Sequence, residues 1–172
     1  MRDEVLTLTQ KFWARSSAVA ALFGAAMLVL AAEITSAAKQ AHVTDFATGK
    51  VLFSKDADAP MKPASMAKIM TVFVAFQRIA DGQLGMDDKF TISEKAWKKG
   101  GSRTFLEVGG TVSVRELLYG IIVQSGNDAA IVLAEGISGT ENAFVQEMNF
   151  WAKKIGMKNT NFQNSTGWPD PD

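Results

Sequence analysis

The sequence contains no cysteine and only one histidine, His42. The absence of cysteine excludes disulfide bonds, thiolate catalysis and cysteine-based zinc sites. A Ser-His-Asp triad would have to use His42, and a zinc site built from several histidines is excluded. Histidine-based nucleophilic chemistry in this chain would therefore depend on His42 alone.

The sequence also lacks an excess of charge of either sign, since Lys plus Arg and Asp plus Glu both number 18. No stretch combines dense basic residues with aromatic ones, so we do not expect nucleic acid as a partner. With 172 residues, 47% hydrophobic and 21% charged, the composition is that of one ordinary globular domain.

The N-terminus resembles an export signal. Lys11 and Arg15 precede an uncharged, largely apolar run at residues 16–32, and small residues follow at 36–38. This order is typical of a secretory signal. The alternative is an uncleaved membrane anchor, although the run is shorter than the roughly 20 residues that span a bilayer. We therefore predict that residues 1–38 are a signal or membrane segment. Residues 39–172 are then periplasmic or otherwise extracytoplasmic, with inner-membrane attachment as the second option.

Short-range signals predict a β-hairpin followed by helices. Residues 41–45 and 51–53 flank a turn that contains Gly49, which indicates the hairpin. A helix is predicted from Ser65 to Ala80 after Pro63, and a short helical turn is predicted at Ser93. The apolar residues expected on the buried face of the long helix are Ile69, Val72, Phe73 and Phe76.

Three further helices are predicted from their caps. Ser113 and Glu116 form a capping box that opens a helix ending near residue 124. Asn127 or Asp128 caps the next helix, and Thr140 caps the last, over residues 141–155. The residues expected to be buried in the first two are Leu117, Leu118, Ile121 and Ile122, followed by Ile131, Val132 and Ala134.

Ser65 and Lys68 form a candidate catalytic pair. A spacing of three residues at the start of a helix places a hydroxyl and an amine on one face. A serine hydroxyl is a weak nucleophile until a base takes its proton, and a partly desolvated lysine can be neutral enough to do so. A helix cap beside a solvated lysine would give the same short pattern, so the tetrapeptide alone leaves both interpretations open.

A second candidate element lies at Ser125-Gly126-Asn127, at the junction of two predicted helices. A second hydroxyl can relay a proton between Lys68 and a leaving amine. The Asn127 amide can orient Lys68 and donate to a substrate carbonyl. An ordinary helix link would also have this composition, but the two elements together favour a catalytic site.

These motifs resemble those of the low-molecular-weight penicillin-binding proteins that act as serine-type D-alanyl-D-alanine carboxypeptidases. The resemblance implies an α/β (α+β) fold of the serine β-lactamase and D,D-peptidase, or transpeptidase-like, type. It implies Ser65 as the acylated nucleophile, Lys68 as its base, and Ser125 with Asn127 as the second element. The expected partners are peptidoglycan stem peptides ending in D-Ala-D-Ala and β-lactam antibiotics, with no metal or organic cofactor. The matching segments are residues 45–50, 63–70, 101–105 and 120–130.

The third motif of that family, Lys-Thr-Gly, occurs nowhere in the 172 residues. By the resemblance it lies on a strand of the cleft and binds the substrate carboxylate. We therefore expect residues 39–172 to be a truncated catalytic domain with the opening hairpin and the helical half, without the C-terminal strands. Its turnover is expected to be impaired, with exposed apolar helix faces.

Three alternatives to an impaired carboxypeptidase follow. The first is an inactive fragment without turnover. The second is a relative of the class A β-lactamases, which need a carboxylate to activate water. Residues 158–167, where the resemblance would place that group, contain neither Asp nor Glu. The third, a membrane-tethered structural protein, leaves both motifs unexplained.

Overall fold

The computed structural model describes residues 35–169, and the chain divides into two units between Pro60 and Met61. In the first unit, strands β1 (Ala41–Thr44) and β2 (Val51–Lys55) pair antiparallel, with an irregularity between Val43 and Thr44. In the turn, the Asp45 carboxylate accepts hydrogen bonds from the backbone nitrogen and hydroxyl of Thr48. The predicted hairpin is confirmed.

The second unit is mainly helical. A 3₁₀ helix (Ala64–Ala67) leads directly into α1 (Lys68–Ala80), which is followed by strand β3 (Lys89–Thr91) and the short helix α2 (Glu94–Lys98). The remaining elements are strand β4 (Thr111–Ser113) and helices α3 (Val114–Gln124), α4 (Asn127–Ser138) and α5 (Glu141–Lys154).

Helix α4 lies at the centre of this unit. Each of its residues from Asn127 to Ala134 is buried, and α1, α2, α3 and α5 all contact it. The predicted burial of Ile131, Val132 and Ala134 is confirmed. A helix buried on every side needs small and aliphatic side chains, which its sequence supplies.

The predicted buried face of α1 is wrong in part. Ile69 and Phe76 are 73% and 45% exposed, while Met70, Val74 and Ala75 lie in the core. The same holds on α3, where Ile122 is 61% exposed. Apolar spacing along α1 predicts one shared face for Ile69 and Phe76. The face of α1 that contacts α4 and α5 is the neighbouring one, which carries Met70, Val74 and Ala75.

Local signals are confirmed more fully than burial. Ser113 and Glu116 form the complete capping box, Ser93 caps α2, and Thr140 caps α5. Strand β4 was not predicted, and it pairs antiparallel with β3. Three residues are too few for a recognisable alternation, so only the tertiary pairing reveals this strand.

The predicted signal or membrane segment lies outside the described residues. Within residues 35–169, no helix has the length and hydropathy required to cross a membrane.

We predict that Gly136→Ala destabilises the second unit. Gly136 packs against β3, and an added Cβ would lie 2.1 Å from the Phe90 ring. Overpacking costs about 1–3 kcal/mol, and the overlap with three atoms of the Phe90 ring places the cost toward the upper end of that range. Alanine contributes roughly 1 kcal/mol through helix propensity, so a net loss of stability is expected. Urea unfolding measures the change. Gly100→Ala is the control, because an added Cβ there has no atom within 4 Å; equal effects of the two substitutions would contradict the prediction.

Candidate active site

The predicted nucleophile and base lie where the 3₁₀ helix joins α1. Ser65 lies in the 3₁₀ helix, and Lys68 is the first residue of α1. The predicted α-helical start at Ser65 is therefore corrected to a 3₁₀ turn, in which side chains three residues apart eclipse. The Lys68 Nζ atom donates a long hydrogen bond to the Ser65 Oγ atom, at 3.3 Å.

Lys68 is 4% exposed, which is unusual for a lysine. Burial lowers the pKa of its amine from the usual 10.5, because a low-dielectric environment disfavours the charged form. The amine also donates to the buried carbonyl oxygen of Thr166, at 2.9 Å. Two contacts therefore fix Nζ, one to the hydroxyl of Ser65 and one to a backbone carbonyl.

The segment that carries Thr166 approaches the 3₁₀ helix very closely. Gly167 has φ +71°, and a Cβ added there would lie 1.8 Å from the carbonyl oxygen of Ala64. Ala64 itself is left-handed, with φ +49°. Backbone strain of this kind persists only where surrounding contacts require it. Here it is located immediately before Ser65.

Ser125 joins the same cleft from another element. It terminates α3 in the left-handed region, with φ 56° and ψ 35°. An open pocket of about 310 Å³ is lined by its side chain together with Ser65 and Lys68. The pocket walls are apolar and consist of Ile69, Val72, Ile121 and Ile122. The structure thus brings three of the four predicted site residues to one pocket.

Asn127 lies at the start of α4, next to the pocket and 5% exposed. Its amide nitrogen donates to the carbonyl of Gly100 at 2.8 Å, and its backbone nitrogen donates to the carbonyl of Ser102 at 2.8 Å. The predicted orientation of Lys68 by this amide is therefore not observed. The Thr166 carbonyl holds Lys68 instead.

Asp128 is fully buried beside Asn127. The predicted cap of α4 at Asn127 or Asp128 is wrong, because Gly126 occupies the cap position and no side chain caps the helix. Its carboxylate accepts hydrogen bonds from the backbone nitrogen and hydroxyl of Thr104 and from the backbone nitrogen of Leu106. Burial opposes ionisation, but these hydrogen bonds outweigh it and lower the pKa of Asp128. The carboxylate fixes the segment that supplies the acceptors for Asn127.

The part of the chain from residue 35 to 169 contains no group of three or more His, Asp or Glu side chains that could hold a metal ion. The described polar chemistry of the pocket consists of two hydroxyls and one amine. This combination suits proton transfer to and from a serine nucleophile.

The fold is that of the D,D-peptidases and penicillin-binding proteins, the transpeptidase-like fold. The crystal structure of the D-alanyl-D-alanine carboxypeptidase DacD from Francisella tularensis is 43% identical, with a TM-score of 0.79 over 82% of this chain and 34% of that chain. Penicillin binding protein 5 from Haemophilus influenzae is 37% identical, with a TM-score of 0.77 over 81% of this chain and 41% of that one. The predicted fold class is confirmed.

The sequence profile of the peptidase S11 family, D-alanyl-D-alanine carboxypeptidase, matches residues 27–172, and the chain belongs to this family. The D-alanyl-D-alanine carboxypeptidase DacF of Bacillus subtilis is 46% identical over 135 residues, which are 78% of this chain and 35% of that protein. The chain spans about a third of the length of the curated relatives that it matches first.

We predict that Gly167→Ala disrupts the site and destabilises the second unit. The substitution combines backbone strain, about 1–3 kcal/mol, with overlap against the Ala64 carbonyl, about 1–3 kcal/mol, so a loss of about 3 kcal/mol is expected. Chemical denaturation measures it. Gly156→Ala is the matched control, since Gly156 also has a positive φ but open space around its Cα. The prediction fails if both substitutions cost the same.

Proposed function

We propose that this chain carries the acylation centre of a serine-type D-Ala-D-Ala carboxypeptidase acting on peptidoglycan stem peptides. The observation that carries the proposal is the buried Lys68 amine, with lowered pKa, 3.3 Å from the Ser65 hydroxyl. Membership in the D-alanyl-D-alanine carboxypeptidase family, and similarity to the carboxypeptidase DacF of Bacillus subtilis, support the same substrate class.

In the proposed reaction, neutral Lys68 takes the proton from Ser65 as Oγ attacks the carbonyl carbon of the terminal D-Ala-D-Ala amide. The C–N bond breaks, and the leaving amine receives the proton through Ser125. A water molecule then hydrolyses the ester, which restores the Ser65 hydroxyl and releases the shortened peptide. With a β-lactam, the ring C–N bond breaks instead and the whole antibiotic stays attached to Ser65.

The proposed roles of Ser125 and Asn127 rest on their placement. Ser125 lines the pocket with Ser65 and Lys68. Asn127 lies beside it, and its amide would donate to a substrate carbonyl only after releasing Gly100. No metal or organic cofactor is needed for any of these steps.

We further propose that the 172-residue polypeptide by itself turns peptide over slowly or not at all. None of its residues can be assigned to the carboxylate-binding Lys-Thr-Gly motif. Without a group that binds the terminal carboxylate, the reacting amide is poorly positioned, and positioning accounts for much of enzymatic rate enhancement. We place the acting protein outside the cytoplasm, where peptidoglycan lies, with residues 1–38 as its export or membrane segment.

A β-lactamase-like deacylation has less support. Residues 158–167 contain no carboxylate. The buried carboxylate that approaches this segment, Glu141, is engaged by Ser165 and Lys95. The stronger alternative to the proposed function is an inactive fragment that is never acylated. Acylation of Ser65 distinguishes the proposed carboxypeptidase from this fragment.

We predict covalent labelling of Ser65 by penicillin. Incubation should raise the intact mass by that of the whole antibiotic, because ring opening releases no leaving group, and peptide mapping should place the adduct on Ser65. Ser65→Ala should abolish the adduct, whereas Ser54→Ala, at an exposed position of strand β2, should not. A folded protein that gains no mass would support the inactive fragment.

We also predict that the acylation rate rises with pH. The neutral form of Lys68 is the base, so protonation at low pH suppresses the reaction. Burial lowers the Lys68 pKa from 10.5. The pH at which the acylation rate reaches half its maximum should therefore be lower than 10.5. Stopped-flow measurements with a chromogenic β-lactam, corrected for spontaneous hydrolysis, test this. A rate that is independent of pH, or that falls with increasing pH, would exclude Lys68 as the base.

A further inference from the structure

We propose that Glu141 is a positioning residue for Lys68, acting through the backbone of Ser165 and Thr166. The inference rests on the proposed function for its catalytic consequence, while the positioning itself is a property of the structure. Glu141 touches neither Ser65 nor Lys68 through any hydrogen bond of the described residues. Its effect would pass through the segment that supplies the Thr166 carbonyl.

The first step is the contact between Glu141 and Ser165. Glu141 is the first residue of α5 and is 7% exposed. Its Oε1 atom accepts hydrogen bonds from the backbone nitrogen of Ser165, at 3.0 Å, and from the Ser165 hydroxyl, at 2.7 Å. Two donors that converge on one ionised oxygen form strong, directional contacts.

The second step is charge. Burial opposes ionisation of Glu141, but the hydrogen bonds from Lys95 and Ser165 outweigh it and lower its pKa. The Lys95 Nζ atom, which comes from α2, lies 2.7 Å from the other carboxylate oxygen, and the Lys95 side chain is 54% exposed. The acceptor therefore stays charged at neutral pH.

The third step joins this anchor to the site. The carbonyl of Ser165 accepts a hydrogen bond from the Thr71 hydroxyl at 2.7 Å, and Thr71 is fully buried one turn after Lys68. Ser165 is thus held from α5 on one side and from α1 on the other. The next carbonyl along the chain, that of Thr166, faces the Lys68 amine at 2.9 Å.

The fourth step is the geometry of the amine. A neutral lysine has two N–H bonds and one lone pair. When one N–H is committed to the Thr166 carbonyl, rotation about the terminal bond is restricted and the lone pair can face the Ser65 hydroxyl. Displacement of that carbonyl would leave the lone pair unaligned and the amine more accessible to water. Small misplacements at a reacting centre reduce rates by up to about 100-fold.

The test measures the titration of Lys68 directly, by the ¹³Cε chemical shift of labelled lysine in the 172-residue protein, with the signal assigned by its loss in Lys68→Arg. In Glu141→Ala, the segment at Ser165 and Thr166 loses its acceptor, and the displaced amine becomes more accessible to water. Because water favours the charged form of the amine, Lys68 should titrate at higher pH than in the wild type. In Glu141→Gln, the amide oxygen still accepts from Ser165, so the titration should return to the wild-type range.

Glu147→Ala is the matched control. Glu147 lies on the same helix and accepts from Ser138 and Arg78, away from Ser165. Its loss should leave the Lys68 titration unchanged, as would a loss of stability without displacement of the amine. If Glu141→Ala does not fold, Ser165→Ala, which removes one of the two contacts, should move the titration in the same direction by less.

The proposal is overturned if Lys68 titrates as in the wild type in folded Glu141→Ala, or in Ser165→Ala when the former does not fold. It is equally overturned if Glu141→Gln moves the titration as far as Glu141→Ala. Failure of the proposed function has a different signature, the absence of a penicillin adduct in the wild type, and the titration does not depend on acylation.

Discussion

Removing an amine from water is costly unless it loses its charge or gains hydrogen-bond partners. At Lys68, burial lowers the pKa of the amine, which favours its neutral form, and the Thr166 carbonyl accepts a hydrogen bond from it. The proposed Ser65 nucleophile requires a base, and an adjacent amine whose neutral form is favoured by burial can serve as one. The other features of the site follow from holding this side chain in place.

Two irregular backbone segments contact the predicted site residues, one at Lys68 and the other at Asn127, and each is held by its own buried carboxylate. Glu141 holds the segment at residues 164–167, and Asp128 holds the segment at residues 100–106. Both carboxylates bind backbone N–H groups, and both have lowered pKa values despite burial. The two buried acids therefore fix irregular segments beside a pocket whose apolar walls come from helices α1 and α3. Ala64, which precedes Ser65, and Ser125 itself have left-handed backbone conformations.

The parts of the fold that sequence could predict are those set by neighbours in the chain. Helix caps at Ser113 and Thr140, and the hairpin turn at Asp45, depend on residues three or four positions apart, and they are confirmed. The pairing of Ser65 with Lys68 could be predicted for the same reason, although its role in catalysis stays a prediction.

The features that sequence missed depend on distant partners. The carbonyl that holds Lys68 lies 98 residues away in the chain, and a backbone oxygen leaves no side-chain signature. Glu141 could be predicted only as a helix residue, since its contact with Ser165 spans 24 residues. The prediction of the buried face of α1 was wrong because two polar residues, Lys68 and Thr71, lie on the buried side, whereas Ile69 is exposed. Polar groups that serve a site reverse the usual relation between hydropathy and burial.

The most direct measurement of the central claim is a crystal structure of this protein after reaction with a β-lactam. The account predicts continuous density from the Ser65 Oγ atom to the carbonyl carbon of the opened ring, with the Lys68 amine still donating a hydrogen bond to the Thr166 carbonyl. Density at a different side chain, or an unmodified Ser65 with the amine turned away from it, would contradict the account.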